Sequence, residues 1–118
     1  MSFEIQTIGA FLEGRDHASE LLMEMGVRKN PLPLEDGFIL QAASNVLQTS
    51  RNFYGLQIAR LTQMYHTAVY RRLNAFEERD ELLTSWVETP GRAPGGSPRL
   101  YEPTELGAEI LDQFQVHY

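Results

Sequence analysis

The sequence predicts a mainly α (α+β) fold in which helices are followed by a two-stranded hairpin and one closing helix. Helically spaced apolar residues occur through most of residues 16–80, and strand-forming residues then flank a run of turn formers. The chain has 118 residues, 42% of them hydrophobic, which suffices for one core but not for two ordinary domains. We therefore expect a single domain over residues 1–118.

Residues 1–35 are expected to form an N-terminal helical extension. A short amphipathic helix is predicted after a cap at Asp16, ending before Gly26. Its apolar face consists of Ala18, Leu21, Leu22 and Met25. Two interpretations stay open upstream: a helix ending near Gly14, with Ile5, Ile8, Phe11 and Leu12, or a strand, from the alternation of Phe3, Ile5 and Thr7. Residues 30–33 contain two prolines and predict an extended linker.

Residues 36–80 contain three helical patterns. The first starts at Asp36, extends for about 14 residues and precedes a polar break at 49–52. Its apolar stripe is Ile39, Ala42, Ala43, Val46 and Leu47, with Gln41, Asn45 and Gln48 off the stripe; the second helix has Leu56, Ile58, Ala59 and Leu61. The third helix is predicted from Thr67 to about Asp80 after a short break at 62–66. A short helix, a tight connection and a longer helix are typical of a helix-turn-helix.

The remaining chain predicts a hairpin and a last helix. Residues 83–88 have strand composition, residues 89–98 are turn formers, and residues 99–102 can return as a second strand. Thr104 is a candidate helix cap, and Leu106, Ile110, Leu111 and Phe114 form an apolar face after it. The predicted fold is a winged helix-turn-helix with a core at 36–103, a two-stranded β wing and a C-terminal helix at 104–118.

Charge is segregated along the chain. The formal net charge is −6, which argues against a polyanionic partner when taken as an average. Residues 37–76, however, contain four arginines and no acidic residue. The middle third is therefore the one segment whose charge would attract the phosphates of a polyanion.

The third helix predicts a surface for double-stranded DNA. Its apolar side must face the core, which leaves Thr67, Arg71 and Asn74 pointing outward from the first turns. Arginine can bond a guanine edge and asparagine an adenine edge, while threonine can meet a phosphate or a thymine methyl. Arg72, at the flank, is predicted to reach a phosphate. The acidic run at 77–81 should point away from the duplex. Each of the outward-facing residues is explained more simply as a solvated side chain. The serious alternative for the whole chain is a winged helix that binds protein and not DNA.

Four segments resemble, in the expected order, the signatures of PadR-type transcriptional regulators. They are residues 54–58 (YGLQI), 67–73 (TAVYRRL), 85–88 (SWVE) and 98–107 (PRLYEPTELG). The resemblance implies a dimeric winged-helix repressor whose third helix enters the major groove while the wing follows the backbone or minor groove. The positions that it implies as DNA contacts are Thr67, Ala68, Tyr70, Arg71, Arg72 and Arg99, to which charge and position add Asn74, Arg51, Arg60 and Arg92. Tyr70 is more simply explained by packing, and Gly55 and Gly107 by close approach of the backbone.

The sequence departs from that family in two places. Members usually have a glycine soon after the third helix, where this chain has residues 79–81 (RDE), so we expect a longer turn. Members also tend to end in a long dimerisation helix, whereas little sequence follows Thr104 here. We therefore expect the N-terminal segment and the last helix to form a homodimer interface through Leu21, Leu22, Met25, Ile110, Leu111 and Phe114.

The sequence gives little support for metal binding, catalysis or a small-molecule ligand. Cysteine is absent, and the three histidines lack metal-ligand spacing, so we expect no cofactor, no metal and no enzyme. No small-molecule inducer is indicated, although Tyr65, Trp86 and Phe114 could line an aromatic pocket between subunits. Without a signal sequence or membrane span, we expect a cytoplasmic protein of prokaryotic or viral origin, associated with the nucleoid when bound to DNA.

Overall fold

The computed structural model describes residues 8–87 and 98–115, and these contain five helices and one antiparallel sheet. The elements are α1 (Ile8–Glu24), α2 (Leu34–Leu47), β1 (Phe53–Tyr54), α3 (Gly55–Thr62), α4 (His66–Glu78), β2 (Leu83–Val87), β3 (Arg99–Pro103) and α5 (Glu105–Asp112). The sheet has the order β1-β3-β2. Helices α3 and α4 form the helix-turn-helix and strands β2 and β3 form the wing, which confirms the predicted fold class.

Helix α1 is a single helix, which corrects the prediction of a start at Asp16 and a break near Gly14. Gly14 is buried inside the helix, and a Cβ there would lie 2.6 Å from the Gln113 carbonyl oxygen. The glycine therefore allows α1 to pack closely on the segment that follows α5. The residues of the strand interpretation, Phe3, Ile5 and Thr7, lie outside the described residues.

Helix α2 is the central helix of the core, buried on more sides than an amphipathic stripe predicts. Gln41, expected off the stripe, is buried and donates from Nε2 to the Phe114 carbonyl oxygen at 3.0 Å. Ser44 donates from Oγ to the Leu111 carbonyl oxygen at 3.1 Å. Polar side chains of α2 therefore donate to backbone carbonyl groups at, and just beyond, the C-terminal end of α5.

The connection between α3 and α4 is a tight turn. Gln63 ends α3 in the left-handed region, with φ at 58°, and Met64 donates from its backbone nitrogen to the Ala59 carbonyl oxygen. Strand β1, which the sequence did not predict, pairs Phe53 with Tyr101 just before α3. Two residues are too few to show a strand periodicity.

The turn from α4 into β2 consists of residues 79–82. Glu81 adopts a φ of 57°, the left-handed conformation that glycine would supply in the family pattern. Thr104 caps α5 as predicted, accepting from the Gly107 backbone nitrogen at 3.0 Å. Gly107 in turn lies against the Leu82 carbonyl oxygen, so closely that a Cβ would collide with it.

One hydrophobic core joins the helices to the sheet. It includes Phe11 and Leu22 from α1, Ile39 from α2 and Val69 from α4, together with Tyr101 from β3. The N-terminal helix therefore packs on the same core as the winged helix.

Candidate nucleic-acid interface

The outer face of α4 carries Thr67, Arg71 and Asn74, all of which are exposed. The orientation is set from the opposite side, where Val69, Leu73 and Phe76 are buried in the core. This is the arrangement that the apolar periodicity predicted. We call these three exposed residues the recognition face. Whether they contact DNA stays a prediction.

The start of α4 adds two exposed residues that the sequence analysis did not assign to this surface. Tyr65, at the N-cap, is 85% exposed, and His66 follows it. The first turn of α4 contains no acidic residue. Backbone N–H groups and the helix dipole favour a phosphate at such an end. These two residues could have been found from the sequence, because they end the break at 62–66, immediately before the predicted recognition helix.

Tyr70 packs between α3 and α4. A Cβ at Gly55 would lie 2.5 Å from Cε1 of the Tyr70 ring, so the glycine makes room for the ring. Tyr70 and Ala68 are both half-buried. The packing interpretation therefore accounts for Tyr70, and Gly55 and Gly107 are confirmed as close-approach positions.

Arg72 is engaged by two carboxylates of its own chain, which the sequence analysis did not predict, and its contact with a phosphate stays a prediction. Its Nη1 donates to Asp36 Oδ1 at 2.6 Å, and its Nη2 lies 3.9 Å from Glu35 Oε2. The side chain is 34% exposed. The guanidinium thus joins α4 to the start of α2.

A buried ion-pair network continues from this contact to the far end of α4. Asp80 has a fully buried side chain and accepts from Arg28 Nη1 at 3.2 Å and from Arg79 Nε at 3.0 Å. Arg28 Nη1 also lies 4.0 Å from Asp36 Oδ2. The hydrogen bond to Asp80 raises the pKa of Arg79 above its ordinary value. The negative charge of Asp80 is therefore compensated inside the protein by two arginines, and its side chain does not point into solvent.

The wing is hydrogen-bonded to the side of α4. The Tyr101 hydroxyl donates to Asn74 Oδ1 at 3.1 Å. Arg99 donates from Nη1 to Ser85 Oγ at 2.9 Å, and Ser85 donates in turn to Glu77 Oε1 at 2.6 Å. These contacts depend on how β2 and β3 lie against α4, which no local pattern in the sequence could reveal.

The remaining arginines of the predicted interface are dispersed. Arg51, before β1, and Arg60, on α3, are exposed. Arg99 is exposed at the start of β3. Arg92 lies outside the described residues.

Four of the six residues predicted for a dimer interface lie in the chain's own core, which corrects that prediction. They are Leu22, Ile110, Leu111 and Phe114. Leu21 is half-buried, and Met25 is 54% exposed. Phe114 packs against Phe11, with ring centroids 6.3 Å apart, and is therefore unavailable to line a pocket with Tyr65.

Within residues 8–87 and 98–115, no group of His, Asp or Glu side chains is arranged to hold a metal ion. No helix in this part of the chain has the length and apolar character needed to cross a membrane.

The sequence matches no protein-family model and no curated protein. Three solved structures resemble it in fold. A point mutant of MepR from Staphylococcus aureus, bound to an oligodeoxyribonucleotide, has a TM-score of 0.57 and 18% identity, covering 87% of this chain and 66% of that one. MepR itself, a transcription regulator of the Staphylococcus aureus multidrug efflux pump MepA, gives 0.57 and 18%, covering 92% and 73%. RV1404 from Mycobacterium tuberculosis gives 0.53 and 16%, covering 97% and 75%.

This chain thus spans between 66% and 75% of the length of these proteins. The likeness extends over most of this chain and shows that it has the winged helix-turn-helix fold of these structures.

Proposed function

We propose that this chain is a sequence-specific regulator of transcription that binds double-stranded DNA. The recognition face carries the proposal, because Thr67, Arg71 and Asn74 are exposed together on the second helix of a helix-turn-helix. A helix fits the major groove, and these three residue types are those that bond base edges and phosphates there.

The distribution of charge supports an orientation in which the N-terminal half of α4 faces the DNA. Residues 37–76 contain no carboxylate, so every side chain of α3 and of most of α4 is neutral or basic. The acidic residues of α4 begin at Glu77, and Glu77 itself is hydrogen-bonded to Ser85. We infer that the N-terminal half of α4 lies deepest in the groove and that Arg60 and Arg99 reach the flanking phosphates.

A structure of the same fold supports the class of ligand. The MepR mutant with a TM-score of 0.57 has an oligodeoxyribonucleotide bound. We extend the proposal to a homodimeric repressor of the PadR type, on the resemblance of the four sequence segments. Candidate dimer contacts are Met23 and Met25, which are exposed at the end of α1 and just after it. They replace the four predicted interface residues that lie in the core.

The test is the salt dependence of binding to duplex DNA. Affinity should fall steeply as salt rises, with a log-log slope near −0.9 for each phosphate neutralised. A random duplex pool should yield an enriched sequence with the wild-type chain. Lys29→Ala is the control for a cation outside the proposed interface, and it should keep the wild-type salt slope. It removes an exposed lysine beside Arg79, at the opposite end of α4. An affinity that does not depend on salt, or no retention of DNA at low salt, would favour the protein-binding alternative.

A further inference from the structure

We propose that Tyr101 is a positioning residue that turns the Asn74 amide nitrogen outward, so that Asn74 selects guanine at one base pair rather than adenine. The inference rests on the proposed DNA-binding function. It replaces the expectation that Asn74 bonds an adenine edge.

The geometry begins with a buried hydroxyl. Tyr101 is completely buried on β3, and its ring stacks against Phe53 with centroids 5.7 Å apart. The ring is thereby fixed, and its hydroxyl reaches the side of α4, where it donates to Asn74 Oδ1 at 3.1 Å. Asn74 is itself exposed, so one end of its amide contacts the protein while the other is accessible.

The direction of the hydrogen bond follows from the state of the phenol. Burial raises the pKa of Tyr101 to about 12, so the hydroxyl keeps its proton at neutral pH. A buried hydroxyl that keeps its proton requires an acceptor. The amide oxygen of Asn74 supplies one, whereas the amide NH₂ would present a second donor and leave the proton unpaired.

This orientation decides what Asn74 offers a base. The oxygen and nitrogen of an amide point in different directions from Cγ, so an oxygen directed at Tyr101 leaves the NH₂ group facing away from the protein. Bidentate bonding to adenine needs both an acceptor and a donor directed at N6 and N7. Guanine presents two acceptors, O6 and N7, which match the two hydrogens of the NH₂ group, while cytosine presents only a donor.

The experiment is selection of bound sequences from a random duplex pool by the full chain and by three variants: Asn74→Ala, Tyr101→Phe and the double variant. Asn74→Ala should abolish the preference at one position, and in the wild type that position should be guanine, favoured over adenine by about tenfold. Tyr101→Phe frees the amide to rotate, so the preference at that position should shift toward adenine. In the double variant, loss of the hydroxyl should change nothing further.

Guanine at the position that depends on Asn74, together with the shift in Tyr101→Phe, supports the inference. Adenine at that position in the wild type overturns it, as does an unchanged preference in Tyr101→Phe, or the absence of any position that depends on Asn74. The proposed function fails by a different outcome, namely that the wild type enriches no sequence. Asn74→Ala replaces an exposed side chain and leaves the Tyr101 ring in the core, so its comparison with the wild type decides between guanine and adenine even where Tyr101→Phe fails to fold.

Discussion

Arg28 Nη1 lies 3.2 Å from Asp80 Oδ2, and it connects the segment between α1 and α2 to the C-terminal end of α4. The two residues are 52 positions apart in sequence. The carboxylate has no solvent exposure, and the guanidinium is 13% exposed. The N-terminal region is therefore attached to the end of α4 by a buried charge pair as well as by the hydrophobic core.

Removing Arg28 should destabilise the whole chain. In Arg28→Ala, Asp80 keeps Arg79 as a partner but loses its more buried one, so we expect the free energy of unfolding to fall by about 3 kcal/mol. Urea unfolding measures the change. Lys29→Ala, next along the chain and exposed, should stay within about 0.5 kcal/mol of wild type. An equally small effect of Arg28→Ala would mean that Arg79 alone compensates the buried carboxylate.

The helices of the winged fold could be predicted from sequence because their signals are local. The apolar spacing of Val69, Leu73 and Phe76 fixed which side of α4 faces the core, and Thr104 marked the start of α5. The pattern failed at Gly14, where a residue that usually ends helices serves instead as a packing contact inside one.

The contacts within the candidate site could not be predicted in this way. The partners of Arg72 and Asn74 are Asp36 and Tyr101, which lie 36 and 27 positions away in sequence. An arginine at the flank of the apolar side has the same helical position whether it is free or ion-paired, so periodicity could place Arg72 but could not reveal its partner. The acid-free stretch gave no sign of this partner, because it begins at residue 37, directly after Asp36.

A methyl group at Gly107 should disrupt the contact between α5 and the turn before β2. Its Cβ would overlap the Leu82 carbonyl oxygen, a backbone atom that cannot move without shifting the strand. We expect Gly107→Ala to lower the free energy of unfolding by about 3 kcal/mol. Gly9→Ala is the matched control: it lies on α1, its Cβ would have no neighbour within 4 Å, and the better helix former should stabilise by about 0.5–1 kcal/mol. Equal effects at the two positions would contradict the close approach.

Arg71 and Arg99 should differ in what their loss does to DNA binding. Arg71→Ala should cost about 1–3 kcal/mol of binding free energy and relax the sequence preference, because it removes a base contact. Arg99→Ala should weaken binding to all sequences similarly and reduce the salt slope, because it removes a phosphate contact. Arg92→Ala is expected to behave like Arg99→Ala. Titrations of the selected duplex and of a scrambled duplex, at several salt concentrations, separate these outcomes. If Arg71→Ala left affinity and preference unchanged, α4 would not lie in the groove as proposed.

Tyr101 should make the fold sensitive to alkaline pH. Its pKa is raised from 10.0 in the unfolded chain to about 12 in the folded protein, because burial disfavours the phenolate. Below pH 10 both states hold the proton and the stabilisation is complete. Between these two values the unfolded chain ionises first, so the free energy of unfolding should fall as pH rises, by about 2–3 kcal/mol in total.

Tyr101→Phe isolates this contribution, since it removes the ionising group and keeps the ring. Urea unfolding of both proteins at intervals from about pH 8 to about pH 11 should give curves that converge. The variant should be the less stable of the two at the lower end, by about 1 kcal/mol, because it lacks the hydrogen bond to Asn74. Curves that stay parallel over the whole range would show that the phenol ionises equally easily in both states. Curves that already coincide at the lower end would show that the hydrogen bond to Asn74 does not stabilise the fold.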